Sequence, residues 1–311
     1  MKLVIQIPCL NEAESLPKTL ADLPKHIEGI DDIQILIIDD GSTDNTSTVA
    51  QEHGVHKIVK FTKKKGLARV FQAGLDAALA MGADIIVNTD ADGQYKGEDI
   101  PRLVRPIIEG KADIVIGNRD IENVKQFSFI KKRLQKLGSW VVRQLSGTSI
   151  LDATTGFRAY NREAALNLNI ISEYTYTLES IIQAEHKNLA IANITITTNE
   201  VHRPSRLFKS IPEYIKRSVL TIIRVYSMFN PLRLFLTIGS GLSLLGFLIS
   251  CRFLYYFILG NGEGKIQSLI LAAVLVIIGF QILIIGLVSD LISANRRLIE
   301  DILLRIKKSG M

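Results

Sequence analysis

Two carboxylates two positions apart, Asp90 and Asp92, leave the end of the apolar run Ile85-Ile86-Val87 with only the small Ala91 between them, and Gly93 and Gln94 follow. Paired hard oxygen donors suit Mg²⁺ or Mn²⁺, which keep positions open for substrate oxygens such as those of a diphosphate. An aspartate pair in a turn is common, so the metal reading depends on its company. Asn11 and Glu12 follow the apolar stretch Lys2–Ile7, Asp39 and Asp40 follow Ile33–Ile38, and Lys65 and Gly66 follow Lys57–Phe61. Asp39 or Asp40, a short acceptor at a strand end, is expected to hydrogen-bond a base or ribose. Lys65-Gly66, opening a helix, is expected to offer a cation and backbone N–H groups to a phosphate. Four acids at one edge require positive charge among them, which a divalent metal and basic side chains would supply.

The elements that must bring these residues together are legible in the hydrophobic pattern. Apolar runs without helical period alternate with helical spacing over Glu12–Leu23, Thr43–His53 and Leu67–Met81, which predicts a parallel sheet covered on both faces. A fifth strand, Asp113–Gly117, ends in Asn118-Arg119. Next come a helix Phe129–Leu145 with a basic side, a loop and short strand over Asp152–Tyr160, a helix Thr177–Lys187 and a strand Ile191–Thr197. The fold class expected is therefore α/β, mostly parallel and Rossmann-like.

The 311 residues divide by composition: residues 1–230 mix charge with apolar residues, whereas 234–288 are almost purely apolar. Cys9 and Cys251 have no metal-ligand spacing and no expected pairing, which suits a reducing compartment. Met1–Pro8 lacks the apolar core of a signal peptide, so the amino-terminal domain is expected to stay in the cytoplasm. The net charge of +6 is concentrated: between His202 and Arg233 seven Lys or Arg face the single acid Glu213. Positive charge beside apolar runs fits anionic lipid headgroups, and nothing resembles a nucleic-acid recognition motif, so nucleic acid is not an expected partner.

Lys209–Phe229 is amphipathic, suited to a membrane surface. Leu234–Ile258 carries one charge, Arg252, and Ser268–Val288 only Gln281 as a strongly polar residue, against the roughly 20 apolar residues a bilayer crossing needs. The expected domains are a catalytic domain 1–208, a juxtamembrane segment 209–232, a two-helix transmembrane hairpin 233–290 and a basic tail 291–311. Basic flanks on both outer ends predict that both termini are cytoplasmic.

Taken in order, Pro8-Cys9-Leu10-Asn11-Glu12, Asp39-Asp40-Gly41-Ser42-Thr43-Asp44, Asp90-Ala91-Asp92-Gly93-Gln94, Gly117-Asn118-Arg119 and Thr155-Gly156-Phe157-Arg158 closely resemble family 2 glycosyltransferases of the glycosyltransferase A fold. Within that family the resemblance is to the polyprenyl-phosphate branch, which includes dolichyl-phosphate mannose synthase and bacterial undecaprenyl-phosphate glucosyltransferases. It implies a nucleotide sugar across strands one, two and four, with Pro8, Leu10, Asn11, Glu12 and Asp40 at the nucleoside. Asp90, Asp92 and Gln94, with Ala91 in the same stretch, match the metal and diphosphate positions. Arg119 and Arg203 match phosphate-binding positions, and Asp92, Arg119 and Arg203 form the expected catalytic set. The family's R-x-x-G-x-S-K stretch is altered here to Arg203-Pro204-Ser205-Arg206-Leu207-Phe208-Lys209, which leaves the acceptor-phosphate contact open between Arg206 and Lys209; Arg133 is a further candidate.

The expected reaction is inverting transfer of a hexose, with UDP-glucose the first-ranked donor, to undecaprenyl phosphate on the cytoplasmic face of the inner membrane. A phosphate monoester is already nucleophilic, having a charge of about −1.5 to −2 near neutral pH, so no general base is required. Glu179 is expected near the sugar hydroxyls and Asp152 at the loop before Thr155, or both in structural roles. GDP-mannose-dependent transfer, transfer of a modified sugar such as an aminoarabinose, and a non-catalytic scaffold that senses nucleotide sugars are the alternatives, and homo-oligomerisation stays open.

Overall fold

The computed structural model describes residues 1–119, 138–140, 143, 150–172, 175–199, 211–260 and 266–309. Its first half runs β1 (Lys2–Cys9), α1 (Leu16–Ala21), β2 (Asp32–Asp39), α2 (Thr46–Glu52), β3 (Lys57–Lys60), α3 (Leu67–Ala80), β4 (Ile85–Asn88), α4 (Ile100–Ile108) and β5 (Ile114–Arg119). There follow β6 (Arg158–Asn161), α5 (Arg162–Asn167), α6 (Thr177–His186), β7 (Ile191–Ile196), α7 (Ile211–Phe229), α8 (Pro231–Ile258) and α9 (Ile266–Ser309).

Seven strands form one sheet in the order β3-β2-β1-β4-β6-β5-β7. The strands β1 to β4 are mutually parallel, so the loops after all four open at one edge. Alternation along β1 divides two cores. Val4 faces Leu36, Ile38, Ile86 and the apolar side of α3, where Phe71, Leu75 and Ala78 are fully buried. Leu3, Ile5 and Ile7 face the other way, onto Leu16 of α1 and Ile100, Leu103 and Val104 of α4. The edge strand β3 is blunted by Lys57 and Lys60 at its two ends.

The structure differs from the expected order in one strand: β6 lies antiparallel between β4 and β5. A short strand returning from a loop can pair that way because no crossover helix is needed. The first two helices are also shorter than the pattern predicts. Asn11 stands in the left-handed region at φ 56°, and Glu12–Ser15 form a turn before α1 starts at Leu16. Likewise α2 starts at Thr46 rather than Thr43, because Thr43 and Asp44 are held in a loop by side-chain bonds.

The chain divides into two compact units, residues 1–222 with 304–311, and residues 223–303. In the second unit α8 and α9 meet along small residues. A Cβ added to Gly239 would lie 2.8 Å from the Gly279 carbonyl, and one added to Gly246 2.8 Å from the Ala272 carbonyl. Both helices are long and apolar enough to cross a bilayer, and only 11% and 17% of their most apolar windows are buried. The segment expected as a basic tail is helical: α9 continues unbroken to Ser309, and Leu304 and Lys307 join the first unit, Leu304 against its core and Lys307 Nζ 2.8 Å from Asp76.

Gly97, just past the Asp90–Gln94 loop, donates its N–H to the Asp22 carboxylate at 2.6 Å, and a Cβ there would overlap the Asp22 carbonyl. Gly97→Ala should therefore destabilise the first unit by about 1–3 kcal/mol as an overpacked position does, read as a lower thermal midpoint. An unchanged midpoint would contradict this packing.

Candidate active site

The loops after β1 and β2 are laced together before any ligand is considered. The Asn11 N–H donates to Ser42 Oγ (2.9 Å) while Asn11 Oδ1 accepts from the Thr43 N–H (2.8 Å). The Glu12 N–H donates to Thr46 Oγ1 (2.9 Å), and the Ala13 N–H to Asp44 (3.1 Å). Pro8 and Leu10 are half-buried beside them, and Asn11 is exposed. Asp39 is fully buried and its carboxylate holds its own loop, accepting from the Ser42 N–H at 2.7 Å and from the Ser47 hydroxyl.

Asp40 overturns one expectation. Its carboxylate accepts from the backbone N–H of Lys65 (2.6 Å) and of Gly66 (3.1 Å), so the amides expected to meet a phosphate already close the amino terminus of α3. An acid at a helix start satisfies orphan donors and faces the positive end of the dipole, which makes this the more stable arrangement. What Lys65 offers is its exposed side chain.

Asp90 and Asp92 emerge from β4 at the same edge. The Asp92 carboxylate accepts from the Gln94 N–H at 3.0 Å, while Ala91 is buried with its carbonyl accepting from Thr19 Oγ1 at 3.0 Å. Among the described residues no hydrogen bond reaches the Asp90 carboxylate. Burial, then the charges of Asp92 and Glu12, push Asp90 up to about 7, against the opposing pull of Arg119. The loop is fastened behind by the Gln94 carbonyl, which accepts from the Asn199 N–H at 2.9 Å, and by Tyr95 pairing with Thr198.

Arg119, at the end of β5, is buried and grips Asp152 with Nε (2.7 Å) and Nη2 (3.1 Å), the latter also meeting Thr154 Oγ1 at 2.8 Å. Burial alone would lower the guanidinium, but Asp152 above all, with Asp90, holds it charged. Conversely Arg119 holds the buried Asp152 carboxyl below its ordinary range. The Nε/Nη2 face of Arg119, expected to meet a phosphate, is taken by Asp152 here, and the guanidinium also acts on Asp90 as a fixed positive charge. Glu179 is buried and accepts from the Ile171 (3.1 Å) and Ser172 (2.8 Å) N–H groups, which makes it a loop cap. Arg133, Arg203, Arg206 and Lys209 lie outside the described residues.

Two carboxylates that raise one another's energy, with Arg119 too fully engaged to neutralise both, fit a divalent cation. Mg²⁺ and Mn²⁺ commonly take one or two carboxylates and complete their shell from substrate phosphates. Among the described residues no third His, Cys, Asp or Glu joins the pair to make a closed site. The residues present thus suit a cation shared with a diphosphate.

Residues 4–168 match the family described as glycosyl transferase family 2, more than half of the chain. The chain belongs to that family. Among similar proteins, an undecaprenyl-phosphate mannosyltransferase of Micrococcus luteus is 31% identical over 208 residues, 63% of this chain and 83% of the relative. A UDP-N-acetylglucosamine–dolichyl-phosphate N-acetylglucosaminyltransferase of Methanococcus voltae is 31% identical over 217 residues, 62% of this chain and 83% of the relative. Among solved structures, glucosyl-3-phosphoglycerate synthase of Mycobacterium tuberculosis, in complex with Mn²⁺, UDP and glucosyl-3-phosphoglycerate, superposes with TM-score 0.57 at 19% identity, covering 73% of this chain and 78% of that one. The glycosyltransferase A fold expected from the motifs is the fold observed.

In this glycosyltransferase the sequence motifs located the acid pair and the two laced loops. They did not reveal that Arg119 and Asp152 are partners, since 33 residues separate them in the chain. Removing one member of a buried pair strands the other's charge, at a cost of about 3–5 kcal/mol. Asp152→Asn should lower stability at neutral pH by that order. Because Asp152 is held below its ordinary range, its contribution is complete above pH ~4 and is lost as the pH falls through the depressed value. Denaturant melts from neutral pH into acid should therefore show a steeper loss in the parent than in Asp152→Asn; parallel curves would refute the pairing.

Proposed function

We propose that the protein is a membrane-bound glycosyltransferase that moves a hexose from a nucleotide diphosphate sugar to a polyprenyl phosphate, using a divalent metal. The observation that carries the reading is the Asp90–Asp92 pair opening beside the laced β1 and β2 loops in a family 2 chain that continues into two bilayer-length helices. The similar proteins whose names specify lipid-phosphate acceptors, matched over four-fifths of their own length, support the acceptor class. Their named sugars are mannose and N-acetylglucosamine, so the proposal is made for a hexose, with GDP-mannose standing beside UDP-glucose as the first donors to assay.

Asn11, Glu12 and Asp40, with Pro8 and Leu10, would border the nucleoside, and the Lys65 ammonium would meet the donor's phosphates. Asp39 would contribute through the loop it holds. A cation bound by Asp90, Asp92 and Gln94 would supply charge neutralisation to the departing diphosphate. An acceptor phosphate oxygen attacks the anomeric carbon, the bond from that carbon to the diphosphate oxygen breaks, and the configuration inverts. The nucleophile is already anionic, its second pKa being about 6, so no proton has to be removed. The acids around the site agree with this: Asp39 and Asp40 hold loops, Asp152 pairs with Arg119, and Glu179 caps a turn. Arg203, with Arg206 or Lys209 and Arg133, would bring the acceptor phosphate into line, Arg offering bidentate geometry. Arg119 would fix the local potential.

Large apolar side chains along both long helices are exposed, among them Leu244, Phe247, Ile277 and Phe280. Exposed apolar surface on that scale favours lipid-facing spans over the core helices of a soluble protein. The basic residues flanking the hairpin favour cytoplasmic termini and the inner membrane. Membranes containing the full chain, supplied with polyprenyl phosphate and a panel of labelled sugar nucleotides, should form a labelled lipid with at least one donor. Asp92→Asn should reduce the rate by about 10²-fold or more, as loss of a group that stabilises developing charge does. Lipid labelling unaffected by both Asp92→Asn and removal of divalent metal would overturn the metal mechanism.

A further inference from the structure

The Thr155-Gly156-Phe157-Arg158 motif reaches no substrate position in the reading above, yet every member is buried and Gly156 lies against Asp90. Gly156 is the centre. An added Cβ would sit 3.2 and 3.3 Å from the two Asp90 carboxylate oxygens and 2.9 Å from the Tyr176 hydroxyl, so the glycine backbone forms the floor on which the Asp90 carboxylate rests. Its φ lies outside the left-handed region, so space rather than backbone conformation requires glycine here.

The peptide at Gly156 is clamped from both sides. Its N–H donates to Tyr95 Oη at 3.2 Å, and its carbonyl accepts from Asn88 Nδ2 at 2.8 Å and from the Tyr176 hydroxyl at 3.3 Å. Asn88 is held in turn by Gln6 Nε2, which donates to Asn88 Oδ1 at 2.9 Å. Both tyrosines are locked by ring stacking: Tyr176 lies flat on Phe71, centroids 3.8 Å apart, and Tyr95 on Phe157, centroids 5.0 Å apart. Arg158 is fully buried and donates to the Ala153, Thr155 and Thr177 carbonyls, each at 2.9 Å, and to Ser180 Oγ at 2.8 Å. It thereby ties the segment before Gly156 to the start of α6, next to Tyr176. A buried arginine with neutral acceptors is costly, and here five donors are matched to four fixed oxygens.

We propose that Gly156, clamped by Asn88, Tyr95 and Tyr176, is the platform that sets the position of Asp90, and that these are positioning residues for metal–diphosphate binding. The inference rests on the metal reading of the acid pair. Outer groups that orient a metal-binding carboxylate typically carry about 10–100-fold of the metal affinity.

The test uses the full-length protein in detergent, with Mn²⁺ binding followed by the magnetic resonance signal of the free ion in the presence of UDP and, separately, GDP. Gly156→Ala should weaken Mn²⁺ binding by about 10–100-fold. Gly156→Ala combined with Tyr176→Phe removes the hydroxyl clash but leaves the methyl against Asp90. The double variant should recover the thermal midpoint of Tyr176→Phe without recovering Mn²⁺ affinity. Tyr176→Phe alone, which keeps the ring stack, should lose affinity in the same direction, with a midpoint lowered only by the loss of the hydroxyl's hydrogen bonds. Mn²⁺ affinity equal to the parent's in Gly156→Ala, or affinity returning together with stability in the double variant, would overturn the platform and leave the metal reading standing. A parent that binds no Mn²⁺ with either nucleotide would overturn both.

Discussion

Charge confined at the end of β4 is the constraint around which the site is arranged. Asp90 and Asp92 leave a fully buried strand together, and enclosure and mutual repulsion raise the energy of their ionised state. Several other acids near that edge are engaged by hydrogen bonds or an ion pair. Asp39 holds its loop, Asp40 closes α3, Asp44 caps the Ala13 and Thr46 amides, and Asp152 takes the face of Arg119. The pair is left as the place where added positive charge gains most.

The same acids explain why the loops hold their shape without a ligand. Asn11 is in a left-handed conformation that asparagine tolerates better than most residues, and its side chain and backbone both bond the β2 loop. Asp40 reaches from β2 to the start of α3, so three successive strand ends are tied by hydrogen bonds rather than by packing alone. Ordering these loops before substrate arrives removes an entropic cost from binding. Asp39 and Asp40 are adjacent in sequence and alike in chemistry, and both carboxylates hold backbone amides.

Much of this was legible in the sequence because hydrophobic period and strand-end chemistry are local. Apolar runs marked β1 to β5, and the acids and glycines after them marked the functional edge. What escaped depends on long-range pairing. The antiparallel insertion of β6 follows from which strand its residues meet, and nothing in Arg158–Asn161 encodes direction. The Lys65-Gly66 amides looked open because their partner is Asp40, 25 residues earlier. Asn88 and Tyr176 read as ordinary residues of a strand and a helix start, although 88 positions apart they share a hydrogen bond beneath the acid pair. Side-chain partners of that kind are set by topology, which periodicity constrains only as far as the face of an element.

The long helices follow a different rule. Along α9 the buried residues are Ala272, Gly279, Gly286 and Ser293, one every seven positions, and along α8 they include Gly239 and Gly246 at the same interval. A seven-residue repeat of small side chains keeps one narrow seam facing its partner over several turns. In water a seam so poor in apolar area would stabilise little, since burial there scales with area. In lipid the surrounding chains are as apolar as leucine, and close backbone approach supplies the packing that large side chains supply elsewhere. Large residues on the outside and glycine within invert the pattern of a soluble helical hairpin. Forty-four residues of α9 extend roughly 66 Å at 1.5 Å each, about twice the ~30 Å hydrocarbon core, so a span of this helix leaves several turns beyond the lipid. Arg296 is stacked on Phe229 at 4.3 Å and bonded to Glu300 at 2.8 Å, an aromatic and an ion pair that would suit the change from hydrocarbon to water at the end of such a span.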